Sequence, residues 1–142
     1  MRKREEKLMA SLDLSTDEVV EDIKPIVLIV SDARGDTAFS VVAAAAAQFD
    51  EDALDTVRLP DARNVQDVRN FLDAQEEGRP IAVFHTFVDE RLRRDVRHEL
   101  VRRGIPSIDL LGPAVTVLST LTGEEPSNKV GALRDRLIEL GA

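Results

Sequence analysis

Ile26-Val27-Leu28-Ile29-Val30-Ser31-Asp32-Ala33-Arg34-Gly35-Asp36-Thr37-Ala38 is the stretch that decides the fold. Its first five residues form an unbroken, largely β-branched apolar run, the pattern of a strand buried on both faces. Its last eight are small or polar, and they lead into a helical span from Thr37 to Phe49 with consecutive alanines at 43–47. The order is strand, tight turn, helix. The small side chains predict a helix lying close to the sheet.

The same alternation continues outward from this unit. Residues 54–59 read as a second strand, and Val65, Val68 and Leu72 mark a helix that stops near Gly78. Pro80 opens a third strand over 81–85. Asp89 to Arg103 is a helix whose buried stripe is Leu92, Val96 and Leu100, with Gly104 as its stop. Residues 106–109 read as a fourth strand, followed by helices over Pro113 to Leu121 and Val130 to Leu140. Strands alternating with helices through short connections predict an α/β fold: an open αβα sandwich of about four parallel strands in the order 2-1-3-4, Rossmann-like or flavodoxin-like, with right-handed crossovers. Residues 26–142 form a single α/β domain in this reading. Residues 1–25 form a charged tail, in which Ser15-Thr16-Asp17-Glu18 ahead of Val19, Val20 and Ile23 either caps a short helix or frays.

Composition narrows the function. The 142 residues are 43% apolar and 32% charged, ordinary values for a chain that folds around a core. A net charge of −8 repels nucleic-acid backbones and anionic lipid, so neither is an expected partner. The absence of cysteine removes disulfides, thiolate nucleophiles and zinc fingers. No apolar stretch follows the basic start MRKREEKLMA, and the expected location is cytoplasmic.

In a sheet of this order, ligands bind beyond the carboxyl ends of the first and third strands, where the winding reverses. Ser31, Asp32, His85, Thr86 and Asp109 fall on that edge, and Arg34, Gly35 and Thr37 fall in the turn beside it. A glycine in a strand-to-helix turn lets backbone approach a ligand, and the free N–H groups of the helix start favour an anion. Ser31, Thr37 and Arg34 add donors. Asp32 and Asp36 oppose a bare phosphate unless a divalent cation or ribose hydroxyls intervene. The other reading of the turn is structural: Asp36 or Thr37 caps the helix and Asp32 braces the loop. His85 is either a base or ligand donor near neutral pH or a packed strand-end residue, and His98 sits on the polar side of its helix. The arginines of the Asp89–Arg103 helix read as a solvated face neutralised by the pairs Glu90–Arg94, Arg91–Asp95 and Glu99–Arg103.

The ordered set of SDARGDTA after a buried strand, Gln48-Phe49, Leu59-Pro60, Arg79-Pro80, Val83-Phe84-His85-Thr86-Phe87-Val88-Asp89, Leu92-Arg93, Gly104-Ile105-Pro106, Asp109-Leu110-Leu111-Gly112-Pro113 and Pro126-Ser127 resembles the N-terminal domain of the bifunctional regulators of pyruvate, phosphate dikinase and phosphoenolpyruvate synthetase over about residues 26–128. That resemblance implies a phosphotransferase family, using ADP to phosphorylate a threonine of the target and phosphate to remove it, through a P-loop in a C-terminal domain. A P-loop needs Gly-Lys-Ser/Thr. The glycines here are 35, 78, 104, 112, 123, 131 and 141 and the lysines 3, 7, 24 and 129, so the motif is absent and no catalytic residue is assigned. The expectation is a regulatory or binding module that is not catalytically competent alone and that works with a dikinase or synthetase, or with a separate P-loop kinase domain. The alternative is a small nucleotide- or phosphate-binding enzyme using the 31–37 turn, with ADP or phosphate and Mg²⁺ as ligands. A third reading is an oligomerisation unit, a homodimer in its simplest form.

Overall fold

β-Branched side chains suit a pleated surface, and the apolar run at 26–30 forms the centre of the sheet. In the computed structural model, which describes residues 23–139 and residue 141, β1 (Ile26–Ser31) lies between β2 (Asp55–Leu59) and β3 (Ile81–Thr86), with β4 (Ser107–Asp109) at the far edge. The order is β2-β1-β3-β4 and every pairing is parallel. Ile26 stands opposite both Asp55 and Ile81, and Ser31 opposite Thr86. The expected order and direction are those observed, with strand limits moved by a residue at β2, β3 and β4. The tail helix expected near Ser15 lies outside the described residues.

The helices are α1 (Asp36–Ala46), α2 (Val65–Asp73), α3 (Glu90–Arg103), α4 (Gly112–Thr122) and α5 (Ala132–Glu139). Asn64 caps α2 by accepting from the Asp67 N–H at 2.9 Å, and Asp89 caps α3 by accepting from Leu92 at 3.1 Å. Gly104 ends α3 in the left-handed conformation, as its position predicts.

Alternation along β1 divides the core between the two faces of the sheet. Ile26, Leu28 and Val30 join Val83 and Phe87 beneath Val68 and Leu72 of α2 and Leu92, Val96 and Leu100 of α3. Val27, Ile29 and Phe84 meet only Ala38 and Val42 of α1, with Leu110 alongside. Each fully buried aliphatic side chain contributes ~1.5–3 kcal/mol, so the α2/α3 face carries most of the stability. The alanine run corrects the sequence reading. Ala43, Ala44, Ala45 and Ala47 are exposed, and α1 touches the sheet through Ala38 and Val42, one helical turn apart. In α4 only Gly112 is buried, and in α5 no residue is.

The charge pattern of α3 also differs from the expectation. Glu90 lies 3.9 Å from Arg93 rather than pairing with Arg94, and Arg91 and Asp95 are not paired. Glu99 is buried, and its carboxylate accepts from Arg69 of α2 at 2.9 Å and from Arg103 at 2.7 Å, with Arg102 as a third partner. Arg103 also reaches Asp73 at 2.8 Å, so one buried carboxylate and two guanidinium groups join α2 to α3. Hydrogen bonds from Arg103 and Arg69 hold the Glu99 carboxyl down at about 2 against an ordinary 4.5. A carboxyl lowered in the folded state stabilises fully above its unfolded value and loses that contribution as pH falls through the folded value. Stability should therefore drop between pH 4.5 and about 2. Glu99→Gln should cost ~1–3 kcal/mol in urea unfolding at neutral pH and flatten that acid slope. An unchanged slope in the variant would show that another group governs it.

Candidate functional site

At the carboxyl edge of β1 the chain must turn sharply into α1, and Gly35 makes the turn possible with φ +82°, a conformation that costs other residues. Gly35 is the N-cap and no side chain caps α1. The Phe39 N–H bonds to the Gly35 carbonyl at 2.9 Å, the first backbone bond of the helix. Neither Asp36 nor Thr37 caps the helix, contrary to the structural alternative read from the sequence.

The turn is held from three sides. The Ser31 hydroxyl donates to the Thr86 carbonyl at 3.1 Å and accepts from the Ala33 N–H at 3.0 Å. Asp61, itself at φ +56°, donates to Ala33 O, and Ala62 donates to Ser31 O, both at 2.9 Å, so the loop after β2 closes against it. The buried Asp32 carboxylate accepts from Val88 and Asp89 at 2.9 and 2.8 Å, tying the end of β1 to the start of α3. Burial pushes the Asp32 carboxyl above its usual value, opposed by those backbone donors. Asp32 thus braces the edge, as one of the two sequence readings has it.

The eight candidate residues do not form one cluster. Ser31, Asp32, His85 and Thr86 are buried, Asp109 is partly buried, and Arg34 and Thr37 are exposed beside buried Gly35. Register places Ser31 and Thr86 together on the α1 face, whereas His85 stands opposite Asp109 on the α3 face. The His85 ring is packed on Phe87, 5.4 Å between centroids, and its Nδ1 is buried with no partner. Desolvation lowers the His85 imidazole below its usual value, against the pull of Asp109. Asp109 Oδ1 accepts from Leu111 and Gly112 at 3.0 and 2.7 Å, and Oδ2 lies 3.7 Å from Arg93. A Cβ on Gly112 would fall on the Asp109 carboxylate and 2.6 Å from Arg93 Nη1, which is why glycine stands there.

Arg58 is the functional candidate that sequence reading missed. From the edge strand β2 it bonds Asp36 Oδ1 at 2.9 Å and the Arg34 carbonyl at 3.3 Å, and its guanidinium lies 4.5 Å over the Phe39 ring. With Arg34 3.5 Å away on the other side, two guanidinium groups flank the Asp36 carboxylate. An arginine on an otherwise ordinary edge strand was the only sign. An open cavity of about 360 Å³ lies by the first turn of α3 between Asp89, Glu90, Arg91, Arg94 and Asn128. Among the described residues no group of three His, Cys, Asp or Glu side chains is placed to hold a metal.

Comparison with known proteins adds the family context. The family described as Kinase/pyrophosphorylase matches residues 27–139. A relative from Clostridium beijerinckii named as a pyruvate, phosphate dikinase regulatory protein is 31% identical over 108 residues, 76% of this chain and 40% of its own length. One of the same name from Lactiplantibacillus plantarum is 36% identical over 75% of this chain and 39% of its own, and one from Carboxydothermus hydrogenoformans 31% identical over 78% and 39%. The chain spans about 40% of the length of these relatives.

The brace makes a direct prediction. Asp32→Ala leaves the Val88 and Asp89 N–H groups unpaired at a buried edge and should cost ~1–3 kcal/mol in denaturant unfolding. Asp32→Asn keeps one oxygen able to accept from both and should cost less. Equal stability of wild type and Asp32→Ala would remove Asp32 from the frame.

Proposed function

The chain belongs to the kinase/pyrophosphorylase family, and from that premise we propose that it is a regulatory and recognition module of the dikinase-control system, binding a pyruvate, phosphate dikinase or phosphoenolpyruvate synthetase in the cytoplasm without transferring phosphate itself. The observation that carries this reading is that none of the seven glycines is followed by lysine, so these 142 residues hold no Gly-Lys-Ser/Thr turn to cradle and neutralise a transferring phosphoryl group. What the module offers instead is a braced carboxyl edge and two charged surfaces, the Arg34–Asp36–Arg58 turn and the α3 start with Arg91 and Arg94. Transfer is assigned to a P-loop domain of the kind the family resemblance implies.

A second reading rests on a specific observation, the uncapped start of α1. Phosphate or the diphosphate of ADP would meet the N–H groups of Asp36, Thr37 and Ala38, the Thr37 hydroxyl and Arg34, with Asp36 already paired to Arg58. The dipole of an exposed helix start contributes ~0.3–1 kcal/mol, so affinity here should be modest.

Two measurements separate the readings. Incubated with a dikinase and ADP, the chain alone should give no phosphothreonine, and it should retain the dikinase on an affinity surface. Labelling by the chain alone, or no retention of the dikinase, would overturn the first reading. Calorimetry with phosphate and with ADP plus Mg²⁺ should show weak binding that Thr37→Glu weakens about tenfold by adding a charge at the helix start. No heat from either ligand would dismiss the second reading and leave the first intact.

A further inference from the structure

Six of the chain's arginines fall in α3 against three carboxylates, although the whole chain carries a net charge of −8. Arg93, Arg102 and Arg103 are paired, with Glu90, Asp109, Glu99 and Asp73. Arg91 and Arg94 are exposed and stand one helical turn apart. Neither is in an ion pair among the described residues, although the sequence offers each a carboxylate four residues away. Both line the open cavity of about 360 Å³ at the first turn of α3, together with Asp89, Glu90 and Asn128 from the connection between α4 and α5.

The two carboxylates of this wall are each engaged through one oxygen. Asp89 Oδ1 accepts from the Leu92 N–H at 3.1 Å, and Glu90 Oε1 lies 3.9 Å from Arg93. Their other oxygens accept no hydrogen bond among the described residues. The wall therefore presents unpaired guanidinium groups and carboxylate oxygens side by side, and none of its five residues is apolar.

Each guanidinium is a planar fork of donors whose geometry matches two oxygens of a phosphate or carboxylate. Two of them match the charge of a phosphate monoester, about −2 at pH 7, whereas a single carboxylate would leave one unmatched. Carboxylate oxygens only accept, so they suit hydroxyl donors and repel a bare anion. A wall that carries both kinds of group fits a ligand that is anionic at one end and hydroxylated at the other. Small-molecule sites span ~300–1,000 Å³ and are mostly apolar, so a small, wholly polar cavity excludes an acyl or aromatic body. We propose that this cavity binds a small phosphate monoester of a polyhydroxylated compound, its phosphate on Arg91 and Arg94 and its hydroxyls on Asp89 and Glu90. The site uses no residue of the α1 turn and stands apart from recognition of a dikinase.

Calorimetry on the whole chain tests this with glucose 6-phosphate, inorganic phosphate and glucose as probes. Glucose 6-phosphate should bind, inorganic phosphate should bind about tenfold more weakly, and glucose should give no heat. Arg91→Gln with Arg94→Gln should weaken glucose 6-phosphate at least about tenfold and leave the melting temperature unchanged, because both side chains are exposed and unpaired. Glu90→Gln should narrow the gap between the two phosphates by removing a charge that repels the bare anion. Thr37→Glu, at the start of α1, should leave glucose 6-phosphate binding unaltered. No heat from glucose 6-phosphate, binding indifferent to the double arginine variant, or binding abolished by Thr37→Glu each overturns the proposal. Inorganic phosphate bound as tightly as the ester would also overturn it, since the cavity would then take any anion.

Discussion

β1 has no free edge and no wet face. The backbone N–H and C=O groups between the ends of β1 must be met by a strand on one side or the other, because burial leaves water little access. Parallel partners on both edges meet that demand, and parallel partners require crossovers, which bring the helices. Leu28, Ile29 and Val30 at zero exposure are the measure of how completely β1 is enclosed.

The carboxyl edge is the price of that arrangement, since four loops converge where the ladder stops and their polar groups need partners of their own. Asp32 serves Val88 and Asp89, Ser31 serves Thr86 and Ala33, and Asp109 serves Leu111 and Gly112. Most of the short polar residues that look like ligand donors in a linear reading are engaged in holding loops. Among the described residues the exception is His85 Nδ1, a buried side-chain atom without a hydrogen-bond partner. What is left accessible at this edge is the uncapped α1 start and the guanidinium groups around Asp36.

The two faces of the sheet differ in kind. One is a finished core with a charge clamp, Glu99 between Arg69 and Arg103, joining its two helices. The other is thin, with α1 alone over Ile29 and Phe84.

Strand number, strand order, parallel direction, the α3 stripe and the Gly104 stop were legible in the residues, because each depends on periodicity or on a backbone conformation that one residue type favours within a few positions. The site was legible only as a place. That Ser31, Asp32, His85, Thr86 and Asp109 lie at one edge follows from strand ends, but which face each takes and what each bonds does not. Asp32 finds its donors 56 and 57 residues away, Glu99 finds Arg69 30 residues away, and Arg58 finds Asp36 22 residues away. Local pattern tells a side chain which way to point relative to its own element. Whether it then meets a guanidinium, a backbone N–H or water is set by which other element occupies that space, and only the folded chain decides that.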